Sequence, residues 1–294
     1  MTIAIEARDI EKSFGGDSVL KSVNVDVNEG EILVLLGPNG VGKTVLLSCL
    51  AGSMHPSGGT VSVFGEPPQK ASNVRFLLQE AMGIDSLTGR ENVRFYSRLH
   101  PRFTDRWEEY VERFDVVDAL DKPLEDCSVG MKRKIELAIT LSIDVPVYLL
   151  DEPTAGLDLS MIQALHSVVR ERDATFVISS HLPHDADLAD RLAFVNDGRV
   201  VATGTPKEML TSLPPVVRVM GIETGSELAG HVTNERVFSD GGQTRGFVPD
   251  GTSIEEIRNR MAAESGDEDD EVSEATPTYT DLFNYYVHVS TEGR

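Results

Sequence analysis

The order of apolar and polar residues predicts a series of strands and helices in the first part of the chain. Apolar and polar positions alternate in KSVNVDVNEGEI, and the unbroken apolar run ILVLL overlaps the end of this segment. The first pattern is typical of a half-buried strand and the second of a fully buried strand. We therefore expect short strands over residues 1–36, followed by a glycine-rich turn and an apolar helix over residues 43–50.

Strands and helices are also predicted beyond this helix. GTVSVFG, VRFLLQ, VPVYLLD and ATFVISS have the composition of strands, and the last two are apolar enough to be buried. A charged, helical pattern runs from about residue 88 to 120, and another helix is expected over residues 159–172. RLAFVNDGRVVATG contains an Asp-Gly turn typical of a hairpin, and a short helix is expected after Pro206.

The sequence changes in character near residue 213. Pro214 and Pro215 indicate a boundary. VVRVM, RVFS and TRGFV then resemble short strands and IEEIRNRMAAE a helix, so residues 213–264 are predicted to form a small accessory α+β region. Residues 265–294 begin with the acidic GDEDDEVSE, which predicts a disordered linker, and end with a predicted helix near TDLFNYYVHV.

Charge excludes one class of partner. The 294 residues include 48 acidic and 27 basic side chains, a formal net charge of -21. Such a surface disfavours nucleic-acid binding, which requires Lys and Arg to neutralise phosphates. Dispersed acidity is tolerated where salt screens it, so we favour a salt-adapted protein, while an ordinary acidic protein is the alternative.

The sequence also indicates a cytoplasmic compartment. No apolar run approaches the roughly 18 residues needed to cross a bilayer. The start MTIAIEARDI lacks the basic and apolar regions of a secretory signal. Cys49 and Cys127 cannot form a disulfide framework and lack metal-site spacing.

A glycine-rich loop between a predicted strand and a predicted helix indicates phosphate binding. GPNGVGKT fits the pattern G-x-x-x-x-G-K-[ST] in this context. Its glycines allow the backbone to approach phosphates, and the helix N-terminus attracts anions. Lys43 is expected to reach the β- and γ-phosphates and the Thr44 hydroxyl to ligate Mg²⁺. The candidate nucleotide-binding residues here are Gly37, Pro38, Asn39, Gly40, Val41, Gly42, Lys43 and Thr44.

Two consecutive carboxylates follow another predicted buried strand. In VYLLDE, Asp151 would bind Mg²⁺ directly or through water at the carboxyl end of the sheet. Glu152 is placed to polarise the attacking water as a general base. The alternative for both is an acidic cap of the following segment.

Three further segments complete a resemblance to a known family. CSVGMKRK begins at Cys127, VYLLDEPTAGLD follows, and SSH ends at His181. Together with the glycine-rich loop and Gln79 of FLLQE, this order resembles the ATP-binding cassette of ABC transporters over residues 3–212. The resemblance implies an α/β fold of the P-loop NTPase type for residues 1–212. It would contain a mixed and parallel sheet core, an antiparallel β subdomain and a helical subdomain at about residues 88–140.

The resemblance also implies roles for individual side chains. Phe14 would stack on adenine, although a lone Phe is more often a core residue. Gln79 would link Mg²⁺ and the attacking water to a transmembrane partner, and His181 would contact the γ-phosphate. Asp158 would touch the site of the opposite subunit, and a helix cap is its simpler role. The candidate catalytic residues are therefore Glu152, His181 and Gln79, and the candidate metal ligands are Thr44, Gln79 and Asp151.

The signature segment departs from the family form LSGGQ. Cys127 replaces Leu, Val129 the first Gly and Met131 the Gln, whereas Ser128 and Gly130 remain. The last two are expected to touch a γ-phosphate from across a dimer. S-x-G-M-[KR] is similar to the form in ABC-2-type exporter ATPases, as are LTGRENVRFYSRL and YTDLFNYYV.

The resemblance implies a subunit that hydrolyses Mg-ATP as a homodimer, or as a heterodimer with a related ATPase. It would energise transport, in the export direction, through a separate transmembrane permease that docks near residues 80–96. It would lie in the cytoplasm, on the inner face of the membrane. An importer ATPase is the first alternative, and the signature variant argues against it. A soluble ABC ATPase acting on ribosomes or DNA is the second, and a single cassette without heptad insertions argues against that.

Overall fold

The computed structural model describes residues 2–70, 73–79, 82–220, 227–265 and 272–290. The chain divides into two compact units, Met1–Ala202 and Thr203–Arg294. The elements of the first unit, with the strand that ends it, are β1 (Ile3–Phe14), β2 (Asp17–Asn28), β3 (Ile32–Leu36), α1 (Lys43–Leu50), β4 (Gly58–Val63), β5 (Val74–Leu77), α2 (Gly89–Leu99), α3 (Trp107–Arg113), α4 (Val129–Leu141), β6 (Val147–Asp151), α5 (Leu159–Glu171), β7 (Thr175–Ser180), β8 (Arg191–Asn196) and β9 (Arg199–Gly204).

An antiparallel sheet of three strands, in the order β2-β1-β4, opens the first unit. The prediction of short strands is wrong here, because β1 and β2 each run for 12 residues. The strands bend at Asp9 and Ser22, which have φ values of 49° and 58°, and the pairing register shifts beside Asp9. The Ser22 hydroxyl donates to the Asp9 carboxylate over 2.9 Å. These irregularities break the alternation of the sequence within each strand.

A second sheet has six strands in the order β5-β6-β7-β3-β8-β9. The first four neighbouring pairs in this order are parallel, and β9 returns beside β8 through the predicted Asp197-Gly198 turn. All residues of β3, β6 and β7 are buried, as expected for parallel strands covered on both faces. Because β3, β5, β6 and β7 run in the same direction, their carboxyl ends lie at one edge of the sheet.

Helices α2 and α3 occupy the range where a helical, charged pattern was predicted, and α4 completes the helical subdomain expected at about residues 88–140. Thr88 begins α2 with a capping box to Glu91, and α2 and α3 both pack against α4. The C-terminal half of α4 is buried from Ile135 to Leu141. No helix among the described residues is long and apolar enough to cross a bilayer.

The second unit is an antiparallel sheet in the order β11-β12-β10-β13, with helices. Its elements are α6 (Pro206–Thr211), β10 (Val216–Met220), β11 (Val237–Asp240), β12 (Gln243–Phe247), α7 (Ile254–Ser265), β13 (Ser273–Ala275) and α8 (Tyr279–Asn284). Val217 and Val219 share one core cluster with Ile257 and Met261 of α7. Val216 belongs to another, as the alternation of side chains along a strand requires.

The boundaries of the second unit differ from those expected from the sequence. Helix α6 packs against α8, which groups it with the second unit, whereas the sequence places it before a boundary at residue 212. Strand β13 pairs with β10, so the chain after the acidic segment rejoins the sheet. A buried ion pair holds α8 to β12, with Nη2 of Arg245 2.7 Å from the Asp281 carboxylate. The predicted disordered linker falls largely on residues 266–271, outside the described residues.

Candidate functional site

Four neighbouring parallel strands each deliver a candidate residue at their carboxyl ends. Strand β3 leads into the glycine-rich loop and α1, and β5 into Gln79. Strand β6 ends at Asp151 with Glu152 next, and β7 ends directly before His181. This edge is where α/β proteins bind ligands, so the topology explains why residues distant in sequence meet here.

The glycine-rich loop approaches neighbouring backbone closely. A Cβ at Gly37 would lie 2.1 Å from the carbonyl oxygen of Val195, so no other residue fits without a shift. Gly42 caps α1 with a φ of 103°, a conformation that favours glycine. The backbone therefore turns directly into the N-terminus of α1, whose unpaired N–H groups suit an anion.

Lys43 is buried, with 4% of its surface exposed. Its Nζ donates to the carbonyl oxygens of Gly37 (2.8 Å) and Pro38 (2.9 Å) and lies 3.7 Å from Oε1 of Glu152. Burial lowers the pKa of Lys43, and the carboxylates of Glu152 and Asp151 oppose this shift. The ammonium thus bridges the loop and the carboxylate that follows β6.

Glu152 lies at the centre of the candidate side chains at this edge of the sheet. It is 6% exposed, and Nε2 of Gln79 donates to its Oε2 over 3.4 Å. Nδ1 of His181 lies 3.0 Å from the same oxygen, although the two groups are not oriented for a hydrogen bond. The backbone of Glu152 has a φ of 45°, and its N–H donates to the Ser179 hydroxyl over 3.0 Å. A non-glycine residue in this left-handed region indicates strain that the surroundings must hold in place.

Asp151 is fully buried, and only one of its two carboxylate oxygens has a hydrogen-bond partner among the described residues. Its Oδ1 accepts a 2.5 Å hydrogen bond from the Ser179 hydroxyl. Its Oδ2 is buried and has no hydrogen-bond partner among the described residues. Buried polar atoms without partners are rare and often mark an ion site, and a carboxylate oxygen suits Mg²⁺.

No group of three His, Cys, Asp or Glu side chains in the described part of the chain could hold a metal ion by itself. Mg²⁺ in nucleotide sites is bound by one or two protein groups together with substrate phosphates. The donors available here, Asp151, Gln79 and the exposed Thr44, therefore fit Mg²⁺ that arrives with a nucleotide.

Phe14 lies at the end of β1 with 46% of its surface exposed. Nζ of Lys12 lies 5.0 Å from the centre of its ring. An exposed ring at a strand end is not a core residue, so the alternative of a core role is removed, while stacking on adenine stays a prediction.

Ser128 and Asp158 are both exposed helix N-caps. The Ser128 hydroxyl accepts from the backbone N–H of Met131 over 3.2 Å. The Asp158 carboxylate accepts from Met161 over 2.9 Å, and hydrogen bonds from Ser160 and Met161 lower its pKa. Gly130 lies on the first turn of α4, close to the backbone of Gly156. Their contact with a second subunit stays a prediction, since the capping role alone accounts for these bonds.

Two functional groups were missed by sequence reasoning. Ser179 links Asp151 and Glu152, and a polar residue within the apolar ATFVISS was the available signal. Arg133 donates to the backbone oxygens of Asp151 and Glu152 over 2.7 and 3.1 Å. Its position within a charged run gave no sign that it is buried.

Comparison with known proteins identifies the family. Residues 20–155 match the family model described as ABC transporter. The daunorubicin/doxorubicin resistance ATP-binding protein DrrA of Streptomyces peucetius is 33% identical over 72% of this chain and 68% of its own length. The Nod factor export ATP-binding protein I of Burkholderia orbicola is 36% identical over 72% and 74%. The ribose import ATP-binding protein RbsA of a Chelativorans species is 34% identical, over 75% of this chain and 46% of its own length.

Solved structures agree with the fold. An ATP-binding subunit of an ABC transporter aligns with a TM-score of 0.64 at 24% identity, over 71% of this chain and 92% of that one. A dimeric ATP-binding cassette with ADP and phosphate aligns with a TM-score of 0.61 at 22% identity, over 69% and 98%. The fold is therefore that of the P-loop ABC ATPase, as the sequence predicted. Taken with the sequence relatives, it establishes that the chain belongs to the ABC transporter ATPases, as an ATP-binding subunit most similar to the ABC-2-type exporter branch.

Proposed function

We propose that the chain binds and hydrolyses Mg-ATP between two copies of itself and energises export through a separate transmembrane partner. The observation that carries this proposal is the contact of Glu152 with three groups from three other segments. Lys43 lies 3.7 Å from its carboxylate, Gln79 3.4 Å and His181 3.0 Å. A carboxylate held among a cation, an amide and an imidazole at the end of a parallel sheet suits phosphoryl transfer to water.

In this proposal the loop N–H groups and Lys43 bind the phosphates of ATP. Glu152 orients the attacking water and accepts its proton, and His181 holds the γ-phosphate. Asp151, Thr44 and Gln79 hold Mg²⁺, which neutralises charge on the phosphates. The unpartnered Oδ2 of Asp151 supports this assignment. Phe14, exposed at the end of β1, is available to stack on adenine.

The second copy completes each site. Ser128 and Gly130 lie at the exposed N-terminus of α4, where the N–H groups and helix dipole favour an anion. Asp158 begins α5 at another exposed position. We infer a head-to-tail homodimer in which these residues face the ATP of the partner subunit, and a heterodimer with a related ATPase is the alternative. The dimeric structural neighbour has the same fold, which makes such an arrangement available.

A membrane partner is inferred because relatives of the chain are named for export or import, which requires a route across a bilayer. Leu78, Phe95 and Leu99 are exposed apolar side chains, 40, 40 and 56% accessible, at the end of β5 and on α2. They support a docking surface near residues 80–96, of which residues 80–81 lie outside the described residues. In this proposal the protein lies on the inner face of the cell membrane, and its acidity argues against a nucleic-acid partner.

Export is favoured because two of the relatives carry out resistance or export functions by their names. Import is the second candidate, since the ribose import relative has similar identity. Two measurements separate the outcomes. Mg²⁺-dependent phosphate release by the purified chain tests ATP hydrolysis. Inverted membrane vesicles containing the chain and a co-expressed permease test direction, because an exporter accumulates cargo when ATP is added outside and an importer does not.

A further inference from the structure

A buried charged pair lies on one turn of α4, C-terminal to Ser128. Arg133 is 6% exposed and Glu136 3%. Nη1 of Arg133 lies 3.6 Å from Oε2 of Glu136. Burying two charges is costly unless further hydrogen bonds satisfy both groups, so the other partners of this pair indicate what it holds.

Arg133 joins the ends of two strands of the sheet. Nη1 donates to the carbonyl oxygen of Leu78 over 2.8 Å, directly before Gln79. Nη2 donates to the carbonyl oxygens of Asp151 (2.7 Å) and Glu152 (3.1 Å). A single planar guanidinium therefore fixes the backbone next to Gln79 relative to the backbone of Glu152.

Glu136 holds the chain on the other side of Gln79. Its Oε1 accepts from the backbone N–H groups of Met82 (2.7 Å) and Gly83 (3.1 Å). One turn of α4 thus contacts the backbone both before and after Gln79. A pair that only filled space would not need hydrogen bonds to the backbone on both sides of Gln79.

The same helix begins at the segment assigned to the nucleotide of the second copy. We propose that Arg133 and Glu136 are positioning residues that couple the N-terminus of α4 to the placement of Gln79 and Glu152 in the same subunit. A shift of α4, on contact with ATP bound to the partner, moves these backbone segments together. This inference rests on the proposed function and gives α4 a second role, within its own subunit.

The substitutions Arg133→Lys and Glu136→Gln test this coupling. Lysine keeps the charge but cannot span the three carbonyl oxygens as the forked guanidinium does. We expect Arg133→Lys to lower kcat at least about 10-fold, since misplacement of catalytic groups by about 1 Å can cost 100-fold. The affinity for a fluorescent ATP analogue stays within about twofold of wild type, because the glycine-rich loop is untouched. Glutamine keeps the Oε1 acceptor at position 136, so Glu136→Gln has the smaller effect.

Arg191→Lys is the matched control. It removes a guanidinium that bonds Glu31 over 2.6 Å and the backbone of Asp26 in the same unit, away from the site. We expect Arg191→Lys to lower the melting temperature about as much as Arg133→Lys does, and to leave kcat unchanged. A second readout is the ATP-dependent dimer, which Arg133→Lys accumulates on size-exclusion chromatography because Ser128 is intact while hydrolysis is slowed.

Two results overturn the coupling. In one, the kcat of Arg133→Lys equals that of the control Arg191→Lys. In the other, turnover, dimer formation and ATP affinity fall together, which indicates general damage to the fold. If wild type itself releases no phosphate from Mg-ATP, the proposed function has failed instead, so the two failures are distinguishable.

Discussion

Nδ1 of His181 lies 3.0 Å from Oε2 of Glu152, yet the imidazole and the carboxylate are not oriented for a hydrogen bond. The carboxylate is therefore not committed to this histidine, and its other polar contacts are Gln79 at 3.4 Å and Lys43 at 3.7 Å. This geometry leaves the Glu152 carboxylate free to act on water and the His181 imidazole free to act on a phosphate, as the proposed hydrolysis requires.

Replacement of Glu152 tests the assigned base. Glu152→Gln keeps the shape of the side chain and should leave ATP binding intact. Loss of the base should slow hydrolysis at least about 100-fold and trap an ATP-bound dimer on size-exclusion chromatography. Glu171→Gln, at an exposed glutamate paired with Arg113, is the control and should turn over normally. Wild-type rates in Glu152→Gln would contradict the assignment.

Substitutions on the two sides of the composite site separate a dimer from a monomeric enzyme. Lys43→Ala should weaken nucleotide binding in its own subunit. Ser128→Arg should spare binding but abolish dimerisation and turnover, because the bulky side chain blocks the partner's γ-phosphate. Equal mixing forms heterodimers in which one site has both lesions and the other has neither, so about a quarter of wild-type activity should return. Normal hydrolysis by Ser128→Arg alone would exclude the head-to-tail arrangement.

Salt should stabilise the protein if its acidity is an adaptation to a saline cytoplasm. The net charge of -21 implies repulsion across the surface of the folded chain. Screening becomes nearly complete at molar ionic strength, where the Debye length is about 3 Å. The melting temperature should therefore rise steeply between about 0.1 and 2 M KCl. A flat curve, measured by scanning fluorimetry, would favour an ordinary acidic protein.

Acid should destabilise the first unit through Asp185. Burial raises the pKa of Asp185, but hydrogen bonds from His166, Ser180 and Thr154 outweigh this effect and hold it below its usual range. A carboxylate with a lowered pKa in the folded state stabilises it above the unfolded pKa near 3.8, and this stabilisation is lost as pH falls through the folded pKa.

Urea unfolding from pH 7 to about pH 2 measures the effect, because the stabilisation is lost below the unfolded pKa of 3.8. Asp185→Asn should cost about 2 kcal/mol at pH 7, on the scale of lost hydrogen bonds to a charged group, and should flatten the acid limb. The exposed neighbour Asp187 supplies the control Asp187→Asn, which should follow wild type at every pH. The same slope in Asp185→Asn as in wild type would rule out this carboxylate as the acid-sensitive group.

Much of the placement of the candidate site was predictable because its residues follow predicted strands, and the resemblance to the ATP-binding cassette implied a parallel sheet core. Glu152 and His181 come directly after β6 and β7, so a parallel sheet brings them to one edge. The buried role of Glu136 was not predictable, since an acidic residue in a charged helix usually faces solvent. The length of β1 was missed because the bend at Asp9 interrupts its alternation. Ser273–Ala275 contains one apolar residue and is a strand only through its pairing with β10.

The acidic segment at residues 266–271 lies in the chain between elements of the second unit, because β13 and α8 follow it. Its composition did not predict this position. The chain enters it from α7 and leaves it into β13, and both elements belong to the second unit. A stop codon after residue 265 removes Asp281 and leaves Arg245 without the carboxylate that neutralises it in the interior. A chain truncated at residue 265 to discard the acidic residues would therefore also lose β13, α8 and the buried ion pair of the second unit.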